Sequence, residues 1–168
     1  MLTSHELIGF MSPALAGEIL SFAFETDKPL YRSTLNAVAQ IRKVRPIFLE
    51  RQPRTQRNAT IIASLSRPAL ENAAASLIRV WLVKQQNPML VQWLDALSIP
   101  HKDGVVDDLP PSMDDEKLRA AVEGLLAKFP HEATAVYLLA FNEMNEANWP
   151  NLKTMLDSDP RLQLGAHS

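Results

Sequence analysis

Apolar residues recur along this chain at helical spacing. Leu15, Ile19 and Phe22 make one stripe, Leu35, Val38 and Ile41 a second, and Leu90, Trp93, Leu94 and Leu97 a third. Leu118, Val122, Leu125 and Phe129 form the clearest amphipathic face, opposite Glu116, Arg119 and Glu123. Two segments, Ala69–Val83 and Glu132–Met144, are apolar almost all the way round, which places them at the centre of the fold. No stretch alternates with period two while carrying β-branched residues. The pattern predicts an all-α protein of about eight or nine short helices without a sheet. It is expected as an irregular multi-helix bundle or a degenerate helical-hairpin stack. Pro46, Pro88 and Pro130 lie 42 residues apart, near the period of two-helix repeats, but the residues after them are not alike.

Proline supplies the punctuation. Pro13, Pro29, Pro46, Pro68, Pro88, Pro130 and Pro150 each open a segment with a helical pattern, and Pro53 opens another. Proline fits the first helical turn because the N–H it lacks would have been unpaired and its φ is already helical. Ser12, Asp27 and Asn87 stand where N-caps are expected, and Thr3 with Glu6 has capping-box spacing. Ser112 is expected to cap a helix whose first turn holds Asp114, Asp115 and Glu116.

The length of 168 residues predicts one domain over 1–168, with a long internal loop at 98–111. A closing helix at 150–158 and a frayed tail at 162–168 complete the outline. In the loop, Asp103-Gly104 is a turn signal, and Val105 and Val106 are expected to pin it to the body. There is no cysteine, which removes disulfides, thiolate metal sites and cysteine nucleophiles together. No apolar run approaches the ~18 residues of a membrane span. Ala14-Leu15-Ala16 resembles a signal-peptidase site, but no Lys or Arg precedes it and the apolar core before it is short. The expectation is a cytoplasmic protein with no membrane engagement.

The net charge of −2 conceals segregation. Residues 31–84 carry ten Lys/Arg against Glu50 and Glu71, whereas residues 85–168 carry six Lys/Arg against thirteen Asp/Glu. Arg42, Lys43, Arg45, Arg51, Arg54 and Arg57 form the densest basic segment. Arg54 and Arg57 stand at a helix start, where acids are normally preferred. This makes the segment a candidate anion site, with pairing to the acidic half as the structural alternative. Nucleic acid is unsupported, since Phe48 is the one aromatic within the basic segment and no binding motif is present.

The usual catalytic signatures are missing: no His-Glu-x-x-His, no phosphate-cradling glycine loop and no Gly-x-Ser-x-Gly. His101, Asp103 and Asp107 or Asp108 have the donor types of a metal site without its spacing, so no metal and no cofactor are predicted. Asn142, Glu143, Asn145, Glu146 and Asn148 suit a helix end before the restart at Pro150. Trp81, Trp93 and Met89 are assigned to the core. The loop leaves His101, Lys102 and Asp103 as a candidate partner contact. The sequence therefore points to a non-enzymatic helical binding or scaffolding module engaging a protein partner or itself. An anion-binding regulatory domain using residues 42–57, for a phosphorylated ligand or nucleic acid, is the alternative. An enzyme with a site at the His101 loop comes third.

Overall fold

A computed structural model describes residues 2–144 and 147–165. Among them are ten α-helices and no strand beyond one isolated bridge, so the chain is an all-α, multi-helix protein. Its contacts fall into two compact units, Thr3–Trp81 and Leu82–Ser168, the latter joined by Met1–Leu2. The length had suggested a single domain. No proline or glycine marks the boundary, which falls inside a π-helical turn at Trp81–Gln85.

The N-terminal unit holds α1 (Ser4–Phe10), α2 (Pro13–Thr26), α3 (Lys28–Arg42), α4 (Pro46–Glu50), α5 (Arg54–Leu65) and α6 (Glu71–Val80). The expected starts at Ser12 and Asp27 are made as read. Ser12 Oγ accepts from the Leu15 N–H at 3.2 Å, and Asp27 Oδ1 accepts from the Leu30 N–H at 3.2 Å. Glu6 accepts from the Thr3 backbone N–H at 3.2 Å and from its hydroxyl at 2.6 Å. Leu7, Ile19, Leu35, Val38, Ile61 and Leu77 are all but inaccessible and form the core of this unit. Pro68 opens a short 3₁₀ turn, Pro68–Leu70, and not a full α-helix.

The expectation of a fully surrounded helix over 69–83 is not met. Ala74, Leu77 and Ile78 of α6 are buried while Asn72, Ser76 and Arg79 are exposed, so this is a one-sided helix. Its many alanines raise the apolar count without requiring burial on every side. Glu71, at its start, reaches α1. Its carboxylate accepts from the Ser4 and His5 backbone N–H groups at 3.1 and 2.8 Å, and lies 2.8 Å from His5 Nδ1. Burial pushes the Glu71 carboxyl up, but the hydrogen bonds from His5 and Ser4 outweigh it and leave the group below its ordinary value.

The C-terminal unit holds α7 (Asn87–Ala96), α8 (Asp115–Lys128), α9 (His131–Leu139) and α10 (Pro150–Ser158). Here the all-round apolar reading is right for α9, where every residue from Ala133 to Leu138 is buried. Thr134 tolerates that burial because its hydroxyl donates to the Pro130 carbonyl at 2.9 Å. An aromatic cluster continues the core: Trp93 and Phe141 meet edge-to-face at 5.6 Å between centroids, and Phe141 meets Trp149 at 5.2 Å. Leu162, placed in the expected tail, is buried at 1% exposure on the 3₁₀ turn Pro160–Leu162. The rest of that tail expectation, including His167, lies partly outside the described residues.

Two capping expectations are corrected. Asp114, not Ser112, caps α8, its Oδ2 accepting from the Lys117 N–H at 3.0 Å. A carboxylate at this position also gains from the helix dipole. Asn87 lies inside α7, where its side chain donates to the Asp103 carbonyl at 2.7 Å. The loop between α7 and α8 therefore runs over 97–114, longer than the expected 98–111. No described helix is long and apolar enough to cross a membrane.

Candidate functional site

The basic segment starts at the end of α3. Arg42 Nε donates to Ser64 Oγ at 2.9 Å, joining α3 to α5. Lys43 takes a left-handed conformation (φ 57) that closes α3, with the Val44 N–H donating back to the Ala39 carbonyl at 3.0 Å. Downstream, Arg54 Nη2 donates to Ser21 Oγ at 2.7 Å, and Arg57 Nη1 to the Glu50 carbonyl at 3.3 Å. Three of the six predicted anion-binding residues are thus already engaged. Arg42, Arg54 and Arg57 are spent on hydrogen bonds within their own unit. Pairing with acids within the chain is not seen either: among the described residues no ion pair involves any of the six.

The remaining two arginines share a surface that the sequence reading missed. Val44, Arg45, Ile47, Phe48, Arg51, Gln52 and Pro53 line an open groove of ≈ 610 Å³. Within α4 only Leu49 is buried, at 1% exposure, while Ile47 and Phe48 remain 49% and 56% exposed. The signal for this was present. Three consecutive apolar residues span about 200° of a helix turning 3.6 residues per turn, and a five-residue helix between two prolines cannot turn all three inward. At the same corner two buried polar atoms, Gln52 Oε1 and Arg57 Nε, lack a hydrogen-bond partner. Such atoms typically cost about 1–3 kcal/mol each, so the corner is held in place by the surrounding packing at some expense.

The histidine loop is built differently. Asp103 and Gly104 both have positive φ (51 and 87), and Lys102 and Val105 exchange both backbone hydrogen bonds at 2.9 and 3.0 Å. This is a two-residue hairpin turn of the kind Asp-Gly favours. Gly104 is required twice over, since a Cβ there would lie 3.0 Å from the Leu90 Cβ. His101 is not the free contact point expected. Its Nδ1 accepts from the Gly104 N–H at 3.0 Å, which leaves Nε2 to donate to Asp95 Oδ1 at 2.7 Å. Its side chain is only 13% exposed.

Lys102 and Asp103 are exposed, and so is Val105, which was expected to pin the loop. The anchors lie elsewhere. Ile99 is buried, Trp149 Nε1 donates to the Pro110 carbonyl at 2.9 Å, and Asn151 Nδ2 donates to the Met113 carbonyl at 2.8 Å.

The other polar clusters are structural. Asn142 is buried and receives the Trp149 N–H on its Oδ1 at 2.8 Å; Asn145 and Glu146, from the same predicted cluster, lie outside the described residues. Arg161 bridges Glu123 and Asp159, its Nη1 3.0 Å from Glu123 Oε2, and its hydrogen bonds hold both carboxyls below their ordinary values. Among the described residues no three His, Asp or Glu side chains gather closely enough to hold a metal ion.

Comparison with family models, with curated proteins and with solved structures gave no match to this chain.

Proposed function

We propose that this protein is a non-catalytic binding module whose contact site is the groove between Val44 and Pro53. The ligand is a protein segment that presents carboxylates next to apolar side chains. The observation carrying this reading is the combination at α4: two half-exposed large apolar residues, Ile47 and Phe48, beside Arg45 and Arg51, neither of which has an acidic partner among the described residues. Exposed apolar surface rimmed by charge is the mark of an interaction site. Aromatic and arginine side chains are the residues on which binding energy concentrates.

The arrangement favours a peptide over a bare anion. Arg45 and Arg51 share the lining with Val44, Ile47, Phe48 and Pro53, so apolar residues outnumber the cations around the groove. Buried Phe48 would contribute through desolvation, while Arg45 and Arg51 would set register and speed encounter.

The test is titration of the full chain against fluorescent peptides that combine acidic and apolar residues, followed by anisotropy. Binding should weaken at least about tenfold in Phe48→Ala, and a charge reversal, Arg51→Glu, should weaken it and flatten its salt dependence. A basic or purely polar peptide should not bind. If the acidic-apolar peptides bind no better than those controls, or bind Phe48→Ala equally well, the reading fails. Anionic phospholipid vesicles serve as a third arm, and Phe48-dependent binding to vesicles but not to peptides would replace the reading with a membrane-surface one.

A further inference from the structure

Resting on that reading, we infer that the groove's occupant is the α7–α8 loop of a second copy of this chain. The first argument is charge. Thr3–Trp81 carries ten Lys/Arg against six Asp/Glu, while Leu82–Ser168 carries seven against thirteen. The loop is where that acidity meets apolar residues without a helix: Val105 is 45% exposed, Asp107 and Asp108 are exposed, and Leu109, Pro110 and Pro111 follow. This is the composition that the Ile47, Phe48, Arg45 and Arg51 surface accepts.

The second argument is preorganisation. The hairpin Lys102–Val105 with its His101 brace fixes one end of the exposed stretch, and the bonds to the Pro110 and Met113 carbonyls fix the other. Between them, no hydrogen bond or ion pair among the described residues holds Val106 to Leu109 in place. A segment held at both ends loses little conformational freedom on docking. Two successive prolines also keep it in an extended form, the shape aromatic-lined grooves take up.

Groove and loop are different patches, and each copy offers one of each. Two copies can therefore exchange loops reciprocally about a two-fold axis, or the contact can repeat head to tail into a larger ring or an open chain. A groove of this size makes a small interface, so association is weak and rises with concentration.

Sedimentation equilibrium of the full chain across a concentration and salt series tests this. The wild type should show a mass that climbs with concentration and falls as salt is raised. Arg45→Glu with Arg51→Glu, and separately Asp107→Arg with Asp108→Arg, should each self-associate about tenfold or more weakly. Both should keep wild-type circular dichroism, since all four side chains are exposed. Mixing the two variants should restore association, because in each mixed pair one groove–loop contact has matching, reversed charge. A labelled peptide spanning Lys102–Asp114 should bind the wild-type chain and compete with assembly.

A wild type that stays monomeric throughout, or association unmoved by either charge reversal, overturns the inference. If in that case unrelated acidic-apolar peptides still bind in a Phe48-dependent manner, the binding-module reading stands and only the second copy is wrong. If they do not bind either, both fall together.

Discussion

The two units solve the same problem, folding about eighty residues into helices, and leave different surfaces. Among the described residues, every exposed large apolar residue but one belongs to the N-terminal unit: Phe10, Phe24, Ile47 and Phe48, against Val105 alone in the other. Arg42, Arg54 and Arg57 of the N-terminal unit reach hydroxyls and a carbonyl, whereas the C-terminal unit spends Lys153 and Arg161 on four ion pairs. Its aromatics are also drawn inward, with Trp93, Phe141 and Trp149 in one buried cluster. The lesson is that helical content says nothing about which half of a chain is finished. One unit has closed its surface on itself, and the other has kept hydrocarbon and unpaired cations in water.

That contrast is sharpest where an aromatic is removed. Trp93→Ala should destabilise the C-terminal unit by about 3–5 kcal/mol in urea titration, the range for deleting a fully buried large aromatic. Phe24→Ala, taken from the N-terminal surface at 52% exposure, should cost no more than about 1 kcal/mol, mainly through its edge contact with Tyr31 at 5.1 Å. Equal losses would erase the distinction drawn between the two halves.

A middle effect is expected at the hairpin. Gly104→Val combines a left-handed backbone (φ 87) with a new Cβ that would lie only 3.0 Å from the Leu90 Cβ. A loss of about 2–3 kcal/mol should follow. Amide exchange should show faster opening over 101–105 before the unit as a whole unfolds.

The smallest effect is electrostatic, and it tests whether the N-terminal unit uses any charge for its own stability. The depressed Glu71 carboxyl contributes stability that is present above its ordinary value of 4.5 and is lost as pH falls through the lower folded value. Because the group is 35% exposed, Glu71→Gln should cost only about 1 kcal/mol at neutral pH. The gap between variant and wild-type urea midpoints should close as the pH drops below that value. A gap that stays constant into acid would mean that Glu71 acts by shape alone.

Much of this architecture was legible in the residues. Prolines marked the starts of α2, α4 and α10 directly, and those of α3, α5, α7 and α9 to within a residue, because a residue without an N–H has few other places to sit. Ser12 and Asp27 were readable as caps for the same local reason, and Asp103-Gly104 as a turn. What could not be read was non-local. Whether an alanine-rich helix is enclosed depends on what packs around it, which is why α9 followed its pattern and α6 did not. His101 looked available because nothing in its neighbours reveals that Asp95 and Gly104 flank its ring. The six cations looked like one site because they are close in sequence, and nothing in that run reveals that Ser64, Ser21 and the Glu50 carbonyl engage three of them. The groove itself was hidden behind an assumption that apolar means inside.

The bond from the Trp149 indole to the Pro110 carbonyl has a further use. Trp81 and Trp93 are equally buried, yet their indole N–H groups find no acceptor among the described residues, so the three tryptophans differ in the one proton that a nitrogen-correlated magnetic resonance spectrum displays. A hydrogen-bonded indole proton resonates at lower field and exchanges more slowly than an unbonded one in the same interior. Trp149 thereby carries a built-in signal for the seating of the α7–α8 loop, readable without altering the native sequence.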